Sequence, residues 1–401
     1  MPAAVAVGIA ISLVGCSPAA DEGASEGLEL TVLIGSSGEA ETAAVQAAAD
    51  AWGAESGNTV EVIAASDLNQ QLGQGFSGNN PPDLFYMGWD QFQTYAKNGY
   101  LEPYAENLSN ADQFYPALKD AFTYDGTFYC APKDFSTLGL IINTDLWAAA
   151  GLTDADLPTD WDSLTAAATK LTTADTVGLS FGQEYSRIGV FMNQAGGALL
   201  DGSSITADSS ENAEGIDYVK SLLDAGLLKF PPQLEAGWGG EAFGLQKAAM
   251  VIEGPWINGA LKNDFPDVKY TAVELPAGPG GSSTFTFSNC WGIPVGSPTL
   301  EATQSLVEFL TTDEQQLAFS DAFGVIPSTQ SGAASYAEKF PNNASFVAGN
   351  DYAVSPVAFA GASAVLGDFN ASLEGLATSD SASLLNALQT NLEAAYAEAN
   401  G

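Results

Sequence analysis

The sequence predicts an α/β protein, and three observations carry that reading. From Leu28 to Gly99, short apolar runs of strand character alternate with segments of helical period. Gly, Asn and Pro stand between them, as turns require. The chain has 401 residues, enough for two lobes with separate cores. Strands alternating with helices point to a largely parallel sheet, because each helix carries the chain back to begin the next strand in the same direction.

The chain opens on an apolar run, Ala3 to Val14, too short to span a bilayer but of the length of a signal-peptide core. It ends in Leu13-Val14-Gly15-Cys16, small residues ahead of a cysteine, which resembles a bacterial lipobox. Removal of residues 1–15 would leave Cys16 lipid-modified, anchored on the outer face of the cytoplasmic membrane. No Lys or Arg precedes the run, so the translation start is expected further upstream. Residues 16–27 are small and acidic and read as a flexible tether.

Leu28 to Ile34 is a strand closed by Gly35, and Glu39 to Trp52 has helical spacing at Ala44, Val45, Ala48 and Trp52. Gly57-Asn58 turns the chain into the strand Thr59 to Ile63. A helical segment from Leu68 to Phe76, the strand Asp83 to Met87 and the helix Trp89 to Lys97 follow, the last closed by Asn98-Gly99. Thr159 or Asp160 caps a helix that includes Leu164 to Leu171. Ala213 to Asp224 is a helix, Ala248 to Ile252 a strand broken by Gly254-Pro255, and strand material surrounds Trp291. Leu300 to Thr311 and Ser383 to Ala397 are amphipathic helices.

Composition excludes several functions. Eleven basic residues face 49 acidic ones, a net charge of −38, and Arg187 is the only arginine. Such a chain repels phosphate backbones, so no nucleic-acid partner is expected, and it lacks the cationic clamp that phosphorylated substrates require. With no histidine, imidazole triads and the usual zinc sites are absent; no catalytic residue, metal or cofactor is expected. Of three cysteines, Cys16 is assigned to lipid. Cys130 and Cys290 remain, either as one disulfide, which parity favours in an exported protein, or as two small buried thiols.

Several blocks together resemble the extracellular solute-binding proteins of sugar ABC importers, the family that includes maltodextrin-binding protein. They are Pro82 to Tyr86 with Trp89-Asp90, Asn98 to Pro103, Tyr129 to Trp147, Lys247 to Trp256, and Gly324 to Ser328. The resemblance implies a two-lobe, type II periplasmic-binding-protein-like fold with three crossings and a ligand cleft between lobes. Lobe one is then 28–133 plus 291–328 and lobe two 134–286 plus 336–401. The crossings fall near Asp134, at 287–290 and at 329–335.

The resemblance also implies site residues. Trp256, after Gly-Pro at a strand end, resembles the family's sugar-stacking tryptophan. Gln183-Glu184-Tyr185 is similar to a Gln-Glu-Pro-Tyr stretch, without its proline, which puts Glu184 and Tyr185 on the ligand. Asp90 resembles a cleft aspartate, and Asp134 and Ser136 lie on the first crossing, where Lys133 pairs an acid in its plainest reading. Ser36, Ser37 and Glu39 follow the first strand, at the strand edge where open α/β sheets bind ligands. Trp89, Trp238 and Trp291, near glycines or a crossing, are further candidates, whereas Trp52, Trp147 and Trp161 read as core.

The leading expectation is a monomeric, lipid-anchored receptor that hands a neutral mono- or oligosaccharide to ABC permease subunits. Two alternatives stand beside it: a binding protein for a cationic or other non-sugar solute, and a secreted glycosidase, for which two carboxylates suffice. Acid is spread along the whole chain, which speaks against a dedicated cation site.

Overall fold

A computed structural model describes residues 27–400. The expected signal segment 1–15, Cys16 and all of the tether except Gly27 lie outside the described residues. Two lobes are built around separate sheets. The first sheet has the order Thr59–Ala64, Glu29–Ile34, Leu84–Gly88, Asn289–Gly292, Ala131–Pro132. Its first three strands are parallel, but both pairings of Asn289–Gly292 are antiparallel. The sheet is therefore mixed and not largely parallel. That strand arrives from the other lobe and enters the sheet from its opposite end, with no helix to reverse it.

Helix Glu39–Ser56 buries the stripe Val45, Ala48, Ala49 and Trp52 and packs against helices Leu300–Leu310 and Asp313–Phe323. Gly57 ends it with φ 75°, a left-handed conformation that glycine adopts without a Cβ penalty. Asp160 is the cap of helix Trp161–Leu171, its carboxylate accepting the Ser163 N–H at 2.8 Å.

Lobe two carries the sheet Tyr270–Val273, Gly139–Asn143, Ala248–Glu253, Val177–Ser180, in which only the last pairing is parallel. Alternate side chains serve opposite cores. Leu140, Ile142, Met250 and Ile252 enter one apolar cluster, Ile141 and Val251 the other. With both faces covered, these strands read as unbroken apolar runs. A small third sheet pairs Thr284–Phe287 with Ala353–Val354 and Ser136–Thr137.

The chain passes between lobes at three adjacent places. Lys133 to Phe135 links Ala131–Pro132 to Ser136–Thr137, and Ser288 links Thr284–Phe287 to Asn289–Gly292. In the third, Val325 packs in lobe one while Ile326 exchanges backbone hydrogen bonds with Phe135. The segment 329–335, expected as a hinge, instead begins helix Gln330–Lys339, because the Thr329 hydroxyl accepts the Gly332 N–H and starts a helical turn. Cys130 and Cys290 form a disulfide beside the first two passages, with Cα atoms 5.6 Å apart. No helix of the described residues is long and apolar enough to cross a membrane.

Candidate functional site

The carboxyl ends of strands Glu29–Ile34 and Leu84–Gly88 lead into Ser37, Trp89 and Asp90, which border one cavity. The strand Leu84–Gly88 runs directly into helix Trp89–Lys97, placing Trp89 and Asp90 at the edge. Across from them, Ala248–Glu253 ends at Gly254-Pro255 and presents Trp256 ahead of helix Ile257–Asp264. Both turns depend on glycine. A Cβ at Gly88 would run into the Asp90 carboxylate, and one at Gly254 into the Trp256 ring. Between the two walls is a cavity of 260 Å³ whose lining includes Trp89, Asp90, Asp134, Ser136, Trp256 and Asn289. A larger chamber of 740 Å³ continues from it, sharing Trp89 and Ser288 and extending past Gln93, Tyr185, Asn193 and Tyr352.

Two cations organise the charge here. The buried Lys133 ammonium contacts Glu41 at 3.2 Å and Asp134, and lies 4.5 Å from the Tyr86 ring centroid. Glu41 also accepts the Tyr86 hydroxyl at 3.1 Å and both the Ser37 N–H and hydroxyl at 2.7 Å. Burial alone would push the Glu41 carboxyl up, but Lys133 and those donors hold it below the usual range. Asp134 is pushed up by burial despite Lys133. Asp90 is likewise raised by burial, and no cation lies within ion-pair distance of it among the described residues.

On the lobe-two wall Arg187 contacts Glu253 at 2.6 Å and Glu184 at 3.0 Å, and its guanidinium lies 5.5 Å from the Trp256 ring centroid. The Trp256 indole N–H donates to Glu253 at 3.1 Å, so the ring is fixed from two sides. Among the described residues no group of three Asp, Glu, Cys or His side chains could hold a metal ion.

The structure gathers Trp89, Asp90, Ser37, Asp134, Ser136 and Trp256 around one cavity and separates the other candidates from it. Trp291 is fully buried in lobe one, edge-on to Tyr86 at 5.0 Å, because its strand lies inside the sheet; it is a core residue. Glu39 points to solvent from the first turn of its helix, and the carboxylate that reaches the cavity is Glu41. Trp238 packs on the apolar cluster beneath lobe two. Tyr185 is buried against Phe285 and Phe369 and borders only the larger chamber. Glu184 lines neither cavity and is tied to Arg187. Ser36 bonds within its own turn, to the Gly38 carbonyl at 2.6 Å. Trp52 and Trp147 are buried, whereas Trp161 is half-exposed, stacked on Tyr218 at 4.2 Å. Sequence reasoning missed Glu41, Asn289 and Phe287. Only Glu41 carried a signal, a second acid in the first helical turn.

The bacterial extracellular solute-binding protein family matches residues 47–348, three quarters of the chain. The chain belongs to that family. Among relatives of this solute-binding protein is a maltooligosaccharide ABC transporter solute-binding lipoprotein of Streptococcus pneumoniae. It is 29% identical over 80% of this chain and 76% of its own length. An ABC substrate-binding protein of Listeria monocytogenes, solved with cycloalternan, superposes with TM-score 0.83 at 22% identity, covering 92% of this chain and 99% of its own. The GacH receptor of Streptomyces glaucescens, solved unliganded and with acarbose, gives TM-score 0.82 at 20% identity over 93% and 99%. These two structures share the two-lobe fold.

Proposed function

We propose that this solute-binding protein captures a neutral oligosaccharide between its lobes and delivers it to the permease of an ABC importer. The observation that carries the reading is the pairing of Trp89 and Trp256 on opposite walls of one cavity that also holds Asp90, Asp134, Ser136 and Asn289. Flat indole faces suit the C–H surface of a pyranose, and carboxylate, hydroxyl and amide groups suit its hydroxyls. The relatives named for maltooligosaccharide and solved with cycloalternan or acarbose support a saccharide over other solutes. At 260 Å³ the inner cavity falls below the common range for ligand pockets, about 300–1,000 Å³. The adjoining 740 Å³ chamber favours a ligand of several units over a single sugar. Sugar binding would select the closed form, the two lobes rotating about the three passages. The protein then acts as a monomeric receptor without catalytic chemistry, held to the outer face of the cytoplasmic membrane by lipid on Cys16.

A cationic solute is the second reading, and one observation favours it. Glu41, Asp90 and Asp134 share the cavity with the single cation Lys133, so acid does cluster there. A thermal-shift screen of maltooligosaccharides, other neutral sugars and polyamines separates the two. Stabilisation by the sugars alone supports the proposal; stabilisation by polyamines alone overturns it. Replacing Cys16 by Ala and following the protein into membrane or medium fractions tests the anchor.

A further inference from the structure

Helix Trp89–Lys97 touches lobe two at its far end as well as facing the cavity at its near end. Asp90, Thr94 and Lys97, spaced by four and three residues, lie along one face of this helix. Asp90 lines the cavity. The Thr94 hydroxyl accepts the N–H of Gly361 at 3.2 Å, at the start of helix Ala362–Leu373. Lys97 donates to the carbonyls of Glu398 at 3.0 Å and Ala399 at 2.9 Å, in the last turn of helix Ser381–Asn400. That twenty-residue helix has no basic residue in its own last turn, which instead contains Glu398. Its carbonyl end carries the negative pole of the helix, and the compensating cation comes from the other lobe. None of these contacts lies on the three passages that join the lobes, so they are free to form or break as the lobes rotate.

We infer that Thr94 and Lys97 are a closing latch: the helix that presents Trp89 and Asp90 to ligand also grips the ends of two lobe-two helices when the lobes meet. The latch rests on the closure-upon-binding reading given above. Ligand draws in the helix through its first turn, and its last turn then secures the closed form. Because Lys97 is exposed, its contribution is modest, and losing it should shift the closing equilibrium roughly two- to fivefold.

The test compares the full chain with Lys97→Gln and Lys97→Arg, using maltotriose as the probe and a pair of dyes across the cleft. Lys97→Gln should weaken maltotriose binding two- to fivefold and widen the dye distance at subsaturating sugar, Lys97→Arg should restore both, and melting temperatures should stay alike. A sugar-free arm places Thr94→Cys/Gly361→Cys in both backgrounds and times the cross-link under a fixed oxidant. Lys97→Gln should slow it two- to fivefold. Unchanged cross-linking overturns the latch, as does unchanged maltotriose affinity in a wild type that binds it. Absence of maltotriose binding with a slowed cross-link counts against that sugar and supports the latch.

Discussion

The Trp256 indole N–H donates to Glu253 at 3.1 Å, and the same carboxylate oxygen holds Arg187 at 2.6 Å. The ring is thereby fixed before any ligand arrives, and it lines the cavity. Preorganisation of this kind lowers the ordering cost of binding. Trp256→Ala should therefore cost about 2–4 kcal/mol of sugar affinity, the range of a desolvated aromatic anchor, with little loss of stability. Trp291→Ala should do the reverse and lower stability by about 3–5 kcal/mol, since that ring is fully buried in lobe one. Calorimetry and urea unfolding on both variants decide the assignment. Early unfolding with normal affinity in Trp256→Ala would make it a core residue.

Asp90 gives two pH effects of opposite sign. Its buried carboxyl titrates above the usual range in the folded chain, so the folded state binds that proton more tightly than the unfolded one. Its contribution to stability rises as pH falls through the raised value and is lost above it. Its capacity to accept sugar hydroxyls moves the other way, because protonation removes an acceptor. Affinity should fall between neutral pH and the ordinary carboxylate range, and Asp90→Asn should flatten the profile. Titrations at stepped pH with both proteins measure this; an unchanged slope in the variant would remove Asp90 from the site.

The disulfide Cys130–Cys290 closes a sequence separation of 160 residues beside two passages, without tying lobe one to lobe two. Cross-links over long loops constrain the unfolded chain, and replacing both cysteines by serine should cost about 2–4 kcal/mol while leaving sugar affinity near wild type. Alkylation without reductant followed by mass spectrometry should label neither thiol. Labelling of both in the folded protein would exclude the bond.

A net charge of −38 on 401 residues implies strong self-repulsion in the compact state. Added salt screens it, the Debye length falling from about 30 Å at 0.01 M to about 3 Å at 1 M. The melting temperature should rise steadily with sodium chloride over that range. A flat or falling curve would mean that the surface charges are already compensated locally.

Elements with a strong local signal were legible in the sequence. The helix at Trp89–Lys97 is bounded by Gly88 and Asn98-Gly99, and the strand at Glu29–Ile34 by Gly35. The buried strands Gly139–Asn143 and Val177–Ser180 were not singled out: covered on both faces they show no alternation, and unlike Ala248–Glu253 they are not closed by a Gly-Pro pair. Helix Tyr185–Gln194 was not singled out; Tyr185 entered the ligand set through the family resemblance, and the helix sets it beside the larger chamber. Trp89 and Trp256 stood out through the glycines beside them, and Asp90 and Trp256 through the family resemblance. Glu41 and Asn289 did not, since only the meeting of distant strands brings them to the cavity. Trp291 was misassigned for the same reason: proximity to a crossing says nothing about which side of the sheet a ring occupies.

The central claim is that one saccharide is held, unaltered, between Trp89 and Trp256. Calorimetric titration of the full chain with maltooligosaccharides of increasing length, followed by recovery of the sugar, tests it most directly. Expected are one site per chain, affinity that increases from the single sugar to the oligomer, recovery of intact sugar, and loss of about 2–4 kcal/mol in Trp256→Ala. Hydrolysed product, or binding that Trp256→Ala leaves unchanged, would contradict it.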